Sequence, residues 1–218
     1  MAKIIIFGAG DIARLAYYYF THDSEHSVAA FTVDSEYKEA DSFFDLPLIE
    51  YDKITGEYPC SDYKMFVALS YAKMNKVRAN KYLDAKEKGY DLVSYVSSKC
   101  TFLTDVPVGD NCFILEDNTI QPFVKIGNNV TLWSGNHIGH DSIIEDHCFI
   151  ASHIVVSGHV HINSYCFLGV NATLRDSITI APGTLIGAGA VIMKDTVENG
   201  VYLPQRATLF DKKSDELL

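Results

Sequence analysis

Three features that mark other classes of protein are missing from this 218-residue chain: a run of basic residues, a long apolar stretch, and a CxxC pair. The formal net charge is −10, and no Lys/Arg cluster offsets it. Nucleic acid is therefore not an expected partner, because phosphate contacts need clustered cations. No apolar stretch approaches the roughly 18–20 residues that span a bilayer, so membrane insertion is not expected. The five cysteines, Cys60, Cys100, Cys112, Cys148 and Cys166, lack zinc-ribbon spacing; reduced thiols in a cytoplasmic setting are the plain expectation. Met1-Ala2-Lys3 leads directly into Ile4-Ile5-Ile6-Phe7. A glycine turn ends that run too early for a signal-peptide h-region. What remains is ordinary globular composition, 48% hydrophobic and 21% charged, in a length that suits one large domain or two small ones.

The two halves follow different periods. In the first, short apolar runs alternate with helical segments. Lys3–Phe7 suits a buried parallel strand, and Gly8-Ala9-Gly10 separates it from a helix over 12–20. Further strands are expected over 28–33, 63–69 and 91–96, with a helix over 73–88 stopped by Gly89. This alternation predicts a small parallel α/β sheet. Arg78 reads as a surface residue of that last helix.

From Val108 to Ile192, every sixth residue is Ile, Leu or Val, at fifteen positions without interruption. Neither a helix nor an alternating strand sustains that period; it is the mark of a β-solenoid, in which each coil buries its apolar residues against its neighbours. Four residues further on, the position is often small, as at Ser142, Cys148, Cys166, Ala172 and Ala190. Three hexapeptides per triangular coil stack residues 18 apart, about 4.8 Å from one another. That ruler places His140 beneath Gly158 and Asp141 beneath His159.

The repeat, as in Ile126-Gly127-Asn128-Asn129-Val130-Thr131, resembles the hexapeptide acyltransferases. The resemblance implies a left-handed parallel β-helix, an exception to the usual right-handed crossover, with acetyl-CoA lying between the solenoids of a homotrimer. Nearly the whole chain resembles the bacterial sugar O-/N-acyltransferases of the sialic-acid O-acetyltransferase type, in the branch that acetylates nucleotide-linked amino sugars. The matching segments are Ile4–Gly10, Gly139–Ile144, Val156–Val160 and Cys166–Asn171. The fold expected is a Rossmann-like α/β domain over residues 1–97, binding the nucleotide sugar, followed by an all-β left-handed β-helix with a C-terminal tail over 98–218.

The site residues follow from chemistry and resemblance together. Acyl transfer from a thioester needs a base, and histidine titrates near neutrality; the family's base maps onto His140 and its acidic companion onto Asp141. Gly158 maps onto a backbone N–H that would hold the acetyl oxygen. The family often carries a second acetyl-contacting histidine nine residues after the base. Here that position is Phe149, so either the contact is absent or His153 or His159 replaces it. Gly187 and Ala188 would let the pantetheine arm pass close to backbone, and Arg206 would meet a CoA phosphate. In the first half, Gly8, Gly10 and Asp11 open a helix N-terminus suited to phosphate, and Asp34 ends the second strand where it could reach a ribose or base. Ser70 and Asn136 are further candidates for the nucleotide sugar, although Asn136 also reads as a turn-forming asparagine.

The function implied is an acetyl-CoA-dependent N-acetyltransferase acting on a nucleotide-linked 4-amino-4,6-dideoxy sugar, in bacterial surface-glycan (lipopolysaccharide O-antigen) biosynthesis. His140 would be the general base for direct attack, with active sites between subunits and neither metal nor NAD. A sugar O-acetyltransferase is the near alternative. A zinc hydratase using some of His137, His140, His147, His153, His159 and His161, and an NAD-binding protein using the glycine turn, are the distant ones.

Overall fold

A computed structural model describes residues 1–216. The first half forms a five-stranded sheet of β1 (Lys3–Phe7), β2 (Ser27–Val33), β3 (Ser42–Phe43), β4 (Leu46–Glu50) and β5 (Tyr63–Val67), in the order β3-β4-β2-β1-β5. All pairs are parallel except the β3–β4 hairpin. Central β1 is covered on both sides, which explains its unbroken apolar run: Ile4, Ile5 and Ile6 are fully buried. Ile4 and Ile6 face α1 (Asp11–His22), which buries Ala13, Ala16 and Phe20 along one stripe. Ile5 and Phe7 face the other way, towards the short α2 (Ile54–Glu57) and the Tyr82–Ala85 stripe of α3 (Lys76–Glu87).

Two expectations for this half need correction. The helix expected from residue 73 begins at Lys76, because Lys73, Met74 and Asn75 all adopt left-handed backbone, with φ of 50, 53 and 65°. The strand expected over 91–96 does not form as a unit. Leu92 makes only an isolated parallel bridge to Met65, and Tyr95–Val96 pairs instead with Phe113–Ile114 as the first strand of the solenoid. The six-residue ladder therefore extends two rungs below Val108, to Phe102 and Val96, both packed against the solenoid core.

The solenoid has three parallel sheets. The first holds seven strands from Tyr95–Val96 to Val201–Tyr202, the second six from Thr101–Phe102 to Val191–Ile192, and the third four from Lys125–Ile126 to Thr179–Ile180. Pairing is strictly 18 residues apart, as in Ile126↔Ile144 and Ile138↔Val156. The last pair, Leu185↔Val201, is 16 apart, so the final coil is two residues short. The ladder residues form one continuous buried cluster, each fully buried Ile or Leu contributing roughly 1.5–3 kcal/mol. The stacking is consistent with the left-handed hexapeptide-repeat helix expected.

Corners are the second regularity. The third residue after each ladder position, from Asn111 through Asn129, Asp141, His147, His153 and His159 to Ser177, takes φ between 53 and 67°, save Gly135 at 78°. Such a conformation costs an L-residue about 1–2 kcal/mol, least for Asn and Asp, and the stacked hydrogen bonds of adjacent coils hold it.

The α/β layer packs on the outer face of the first solenoid sheet. Phe113, Leu115 and Trp133 share one apolar cluster with Ile4, Ala16 and Phe20, and Tyr71 meets the Phe149 and Phe167 rings at 5.0 and 4.8 Å. Arg78, expected on a helix surface, is instead 2% exposed. It reaches the corner between the third and first sheets, where its guanidinium donates to the carbonyls of Asn129 (3.2 Å), His147 (3.4 Å) and Cys148 (3.1 Å), to Asn129 Oδ1 (3.2 Å) and to the Ser70 carbonyl (3.2 Å).

Candidate active site

His140 and Asp141 lie at the corner between the second and third sheets. In a triangular solenoid this is the corner opposite the face that the α/β layer covers. His140 sits at the turn two residues after the inward Ile138, with its side chain half exposed, and Asp141 takes the left-handed corner position with φ of 58°. The coil above presents Gly158 and His159 in register, with the His159 N–H bonded to the His140 carbonyl at 2.9 Å. The 18-residue spacing thus becomes a real stack.

Three contacts define the chemistry. His140 Nδ1 and Asp141 Oδ2 are 2.9 Å apart, so in the neutral ring an Nδ1–H donates to the carboxylate and Nε2 keeps its lone pair. The imidazole lies against Gly158: a Cβ built there would stand 2.7 Å from His140 Nε2. Gly158 does not need glycine for its backbone, which has no left-handed φ; it needs glycine for the space. Its N–H meets no acceptor among the described residues. Finally, the His140 backbone N–H donates to Gln121 Oε1 at 2.9 Å, a contact not read from the sequence because Gln121 lies one coil below. The His140 and Asp141 side chains are 52% and 42% exposed, so the chain by itself does not enclose this site.

The α/β layer carries a separate cleft of about 540 Å³ at the carboxyl ends of β1 and β2, the usual ligand position in open parallel sheets. Gly8, Gly10 and Asp34 line it, with Tyr37, Phe43 and Lys81. Gly8 has φ of +126°, and a Cβ there would stand 2.8 Å from the Ala68 carbonyl, so only glycine fits; Gly10 faces open space at the start of α1. Lys81 was missed in the sequence because its partner is distant in the chain: its Nζ sits 2.8 Å from Asp34 Oδ1 and over the Phe7 and Tyr51 rings.

The other expected site residues are placed elsewhere. Asp11 is exposed and faces Arg14 at 3.6 Å rather than the cleft. Ser70 offers its carbonyl to Arg78. Asn136 is 1% exposed and belongs to a structural stack, donating to the Trp133 carbonyl while its Oδ1 accepts from the Ile154 N–H at 2.8 Å. Phe149 is 5% exposed, on the covered sheet between Trp133, Tyr71 and Phe167; it cannot stand beside His140 in the same chain. Gly187 and Ala188 sit at the corner between the first and second sheets, Gly187 against Leu203 and Pro204. Arg206 lies in the exposed tail.

Of the histidines considered for zinc, only His140 and His159 come together, with Asp141 between them. His147 is buried at the corner beneath the α/β layer; burial holds its pKa below the ordinary value. No three-histidine cluster forms among the described residues.

Comparison with known proteins agrees with this fold. Residues 105–140 and 124–158 match the bacterial transferase hexapeptide (six repeats) family. An acyl-[acyl-carrier-protein]–UDP-N-acetylglucosamine O-acyltransferase from Pseudomonas aeruginosa is 29% identical over 99 residues, 42% of this chain. The chain spans only 38% of that relative's length. Among solved structures, a variant of perosamine N-acetyltransferase from Caulobacter crescentus, in complex with CoA and GDP-perosamine, superposes with a TM-score of 0.82 at 20% identity, covering 94% of each chain. The acetyltransferase domain of PglB from Neisseria gonorrhoeae gives 0.79 at 17% identity, over 94% of this chain and 97% of that one. At such identities these likenesses establish the fold. Among the described residues no helix is long and apolar enough to cross a membrane.

Proposed function

We propose that the chain is an acetyl-CoA-dependent N-acetyltransferase acting on the amino group of a nucleotide-linked 4-amino-4,6-dideoxy sugar. The observation that carries this reading is the His140–Asp141 pair beneath Gly158. It supplies a base with a free Nε2, a carboxylate that fixes the tautomer, and an unpaired backbone N–H beside them. His140 Nε2 takes the proton as the sugar amine attacks the thioester carbon. Asp141 stabilises the imidazolium that forms, and the Gly158 N–H faces the charge growing on the acetyl oxygen. The CoA thiolate leaves. No cysteine adjoins His140, so direct transfer is favoured over an acyl-enzyme.

The N-terminal unit, residues 1–97, is read as a Rossmann-like nucleotide-sugar domain, and residues 98–218 as the acyltransferase unit. The cleft and His140 lie on opposite sides of the solenoid, so within one chain they do not face each other. A homotrimer, with the cleft of one subunit turned towards His140 of the next, resolves this. The perosamine enzyme's complex with CoA and GDP-perosamine supports the same pair of substrates.

The experiment is a transfer assay with acetyl-CoA and UDP-, dTDP- and GDP-linked 4-amino sugars, followed by release of free thiol. Acetylation of one of them, lost in His140→Asn, is the expected result. Transfer to none of them overturns the reading. Transfer only to hydroxyl acceptors would favour the O-acetyl alternative, which the name of the curated relative keeps in view.

A further inference from the structure

The corner that holds the proposed base also holds a ready set of metal ligands. His140, Asp141 and His159 each offer one ligand atom, and these atoms all lie within 4.8 Å of one another. Asp141 Oδ2 is 2.9 Å from His140 Nδ1 and 3.9 Å from His159 Nε2. A zinc ion bonded at about 2.0–2.2 Å to N and O donors requires separations between these values. Asp141 and His159 are locked at left-handed corners of successive coils, with φ of 58 and 56°. The two rings stand edge to face, 5.0 Å apart at 89°. All three side chains are roughly half exposed, so small rotations suffice and a metal ion can enter from solvent. The fourth tetrahedral position is left for water.

We propose that this corner is a binding site for zinc or a similar divalent transition metal, and that the metal switches the base off by changing its tautomer. The switching step rests on the acetyltransferase reading above; the site itself does not. A metal on His140 needs the Nδ1 lone pair. The proton that Nδ1 donates to Asp141 must then leave that nitrogen, and through solvent it is replaced on Nε2, so that the ring stays neutral and nothing is oxidised or reduced. Nε2, which lies against Gly158 and would receive the substrate proton, becomes an N–H donor. Asp141 is drawn to the metal at the same time and no longer stabilises an imidazolium.

The test uses the full-length chain with the exposed Cys60 changed to Ser, to remove a competing thiol. Zn²⁺ is titrated against a chromophoric chelator without substrates, and the His140 tautomer is read by long-range ¹H–¹⁵N correlation. One equivalent should bind, about tenfold or more weakly in His159→Ala, with the His140 proton moving from Nδ1 to Nε2. In the transfer assay, Zn²⁺ should inhibit in step with occupancy and a chelator should restore the rate. His159→Ala should need about tenfold more zinc for half-inhibition of its own metal-free rate. Equal zinc affinity in parent and variant, saturation without a tautomer change, or full transfer at saturating zinc would each overturn the proposal. Zinc binding with the tautomer change in a chain that transfers no acetyl group would leave the site standing and remove the acetyltransferase reading instead.

Discussion

Two corners of the same solenoid, a single hexapeptide apart, are built alike and used differently. At one, Asp141 and His159 stack in left-handed conformation; at the other, Asn129 and His147 do the same. At the first, the side chains face solvent and satisfy each other only in part. At the second, the side chains bond one another: Asn129 Nδ2 meets His147 Nδ1 at 2.9 Å, Asn111 joins Asn129 Oδ1 at 2.8 Å and the Val67 backbone at 2.7 Å, and Arg78 closes the set. Among the described residues, no carboxylate pairs with Arg78 there. Burial pushes its pKa down to about 10, still far above neutrality, so a full charge is held by carbonyl and amide dipoles. Identical backbone, then, does not make a site: the corner left without partners is the one with chemistry to spare, and the saturated corner is a hinge pin for the α/β layer.

Substitutions at the two corners should separate these roles. The largest effect is expected for His140→Asn: a loss of roughly 10²–10⁴-fold in transfer rate, with a change below about 0.5 kcal/mol in unfolding free energy because the side chain is half exposed. Equal losses of rate and stability would erase the contrast. Arg78→Met should do the reverse, lowering the urea midpoint by the equivalent of about 2 kcal/mol or more as its carbonyl partners are orphaned. Gly158→Ala should leave folding near the parent and cut the rate by roughly 10–100-fold, because the new Cβ displaces the base. The smallest effect concerns His147, whose folded pKa lies below its ordinary 6.5 through burial. The unfolded chain therefore binds more protons below pH 6.5, so stability should fall as pH drops through that value and be flat above it. His147→Asn should remove this dependence, read as urea midpoints at pH 7.5 and 5.5.

Much of this was legible beforehand, for identifiable reasons. The ladder was readable because a solenoid is periodic: each apolar residue meets its counterpart 18 positions on, so local spacing encodes tertiary contact. It failed at the lower end, where Val96 and Phe102 keep the period but Val96 ends, and Phe102 follows, the strand expected over 91–96 for the α/β sheet. The His140, Asp141, Gly158 and His159 stack was readable from the same ruler. Arg78, Gln121 and Lys81 were not, since their partners are distant in sequence and no period links them. The placements of Phe149 and Asn136 escaped for a related reason: the repeat says that Phe149 points outward, but not that another layer covers that face.

The three-sided coil, its 18-residue register, the parallel character of the first sheet and the juxtaposition of His140 with Gly158 are encoded locally in the chain, because each follows from a short period or a contiguous run. Which solenoid face the α/β layer covers, and hence which corner stays open, emerges from the folding of the whole chain. That choice rests on side-chain complementarity between distant segments, Phe113 and Trp133 against α1 and Arg78 against the Asn129 corner, and a one-dimensional repeat treats its three faces alike.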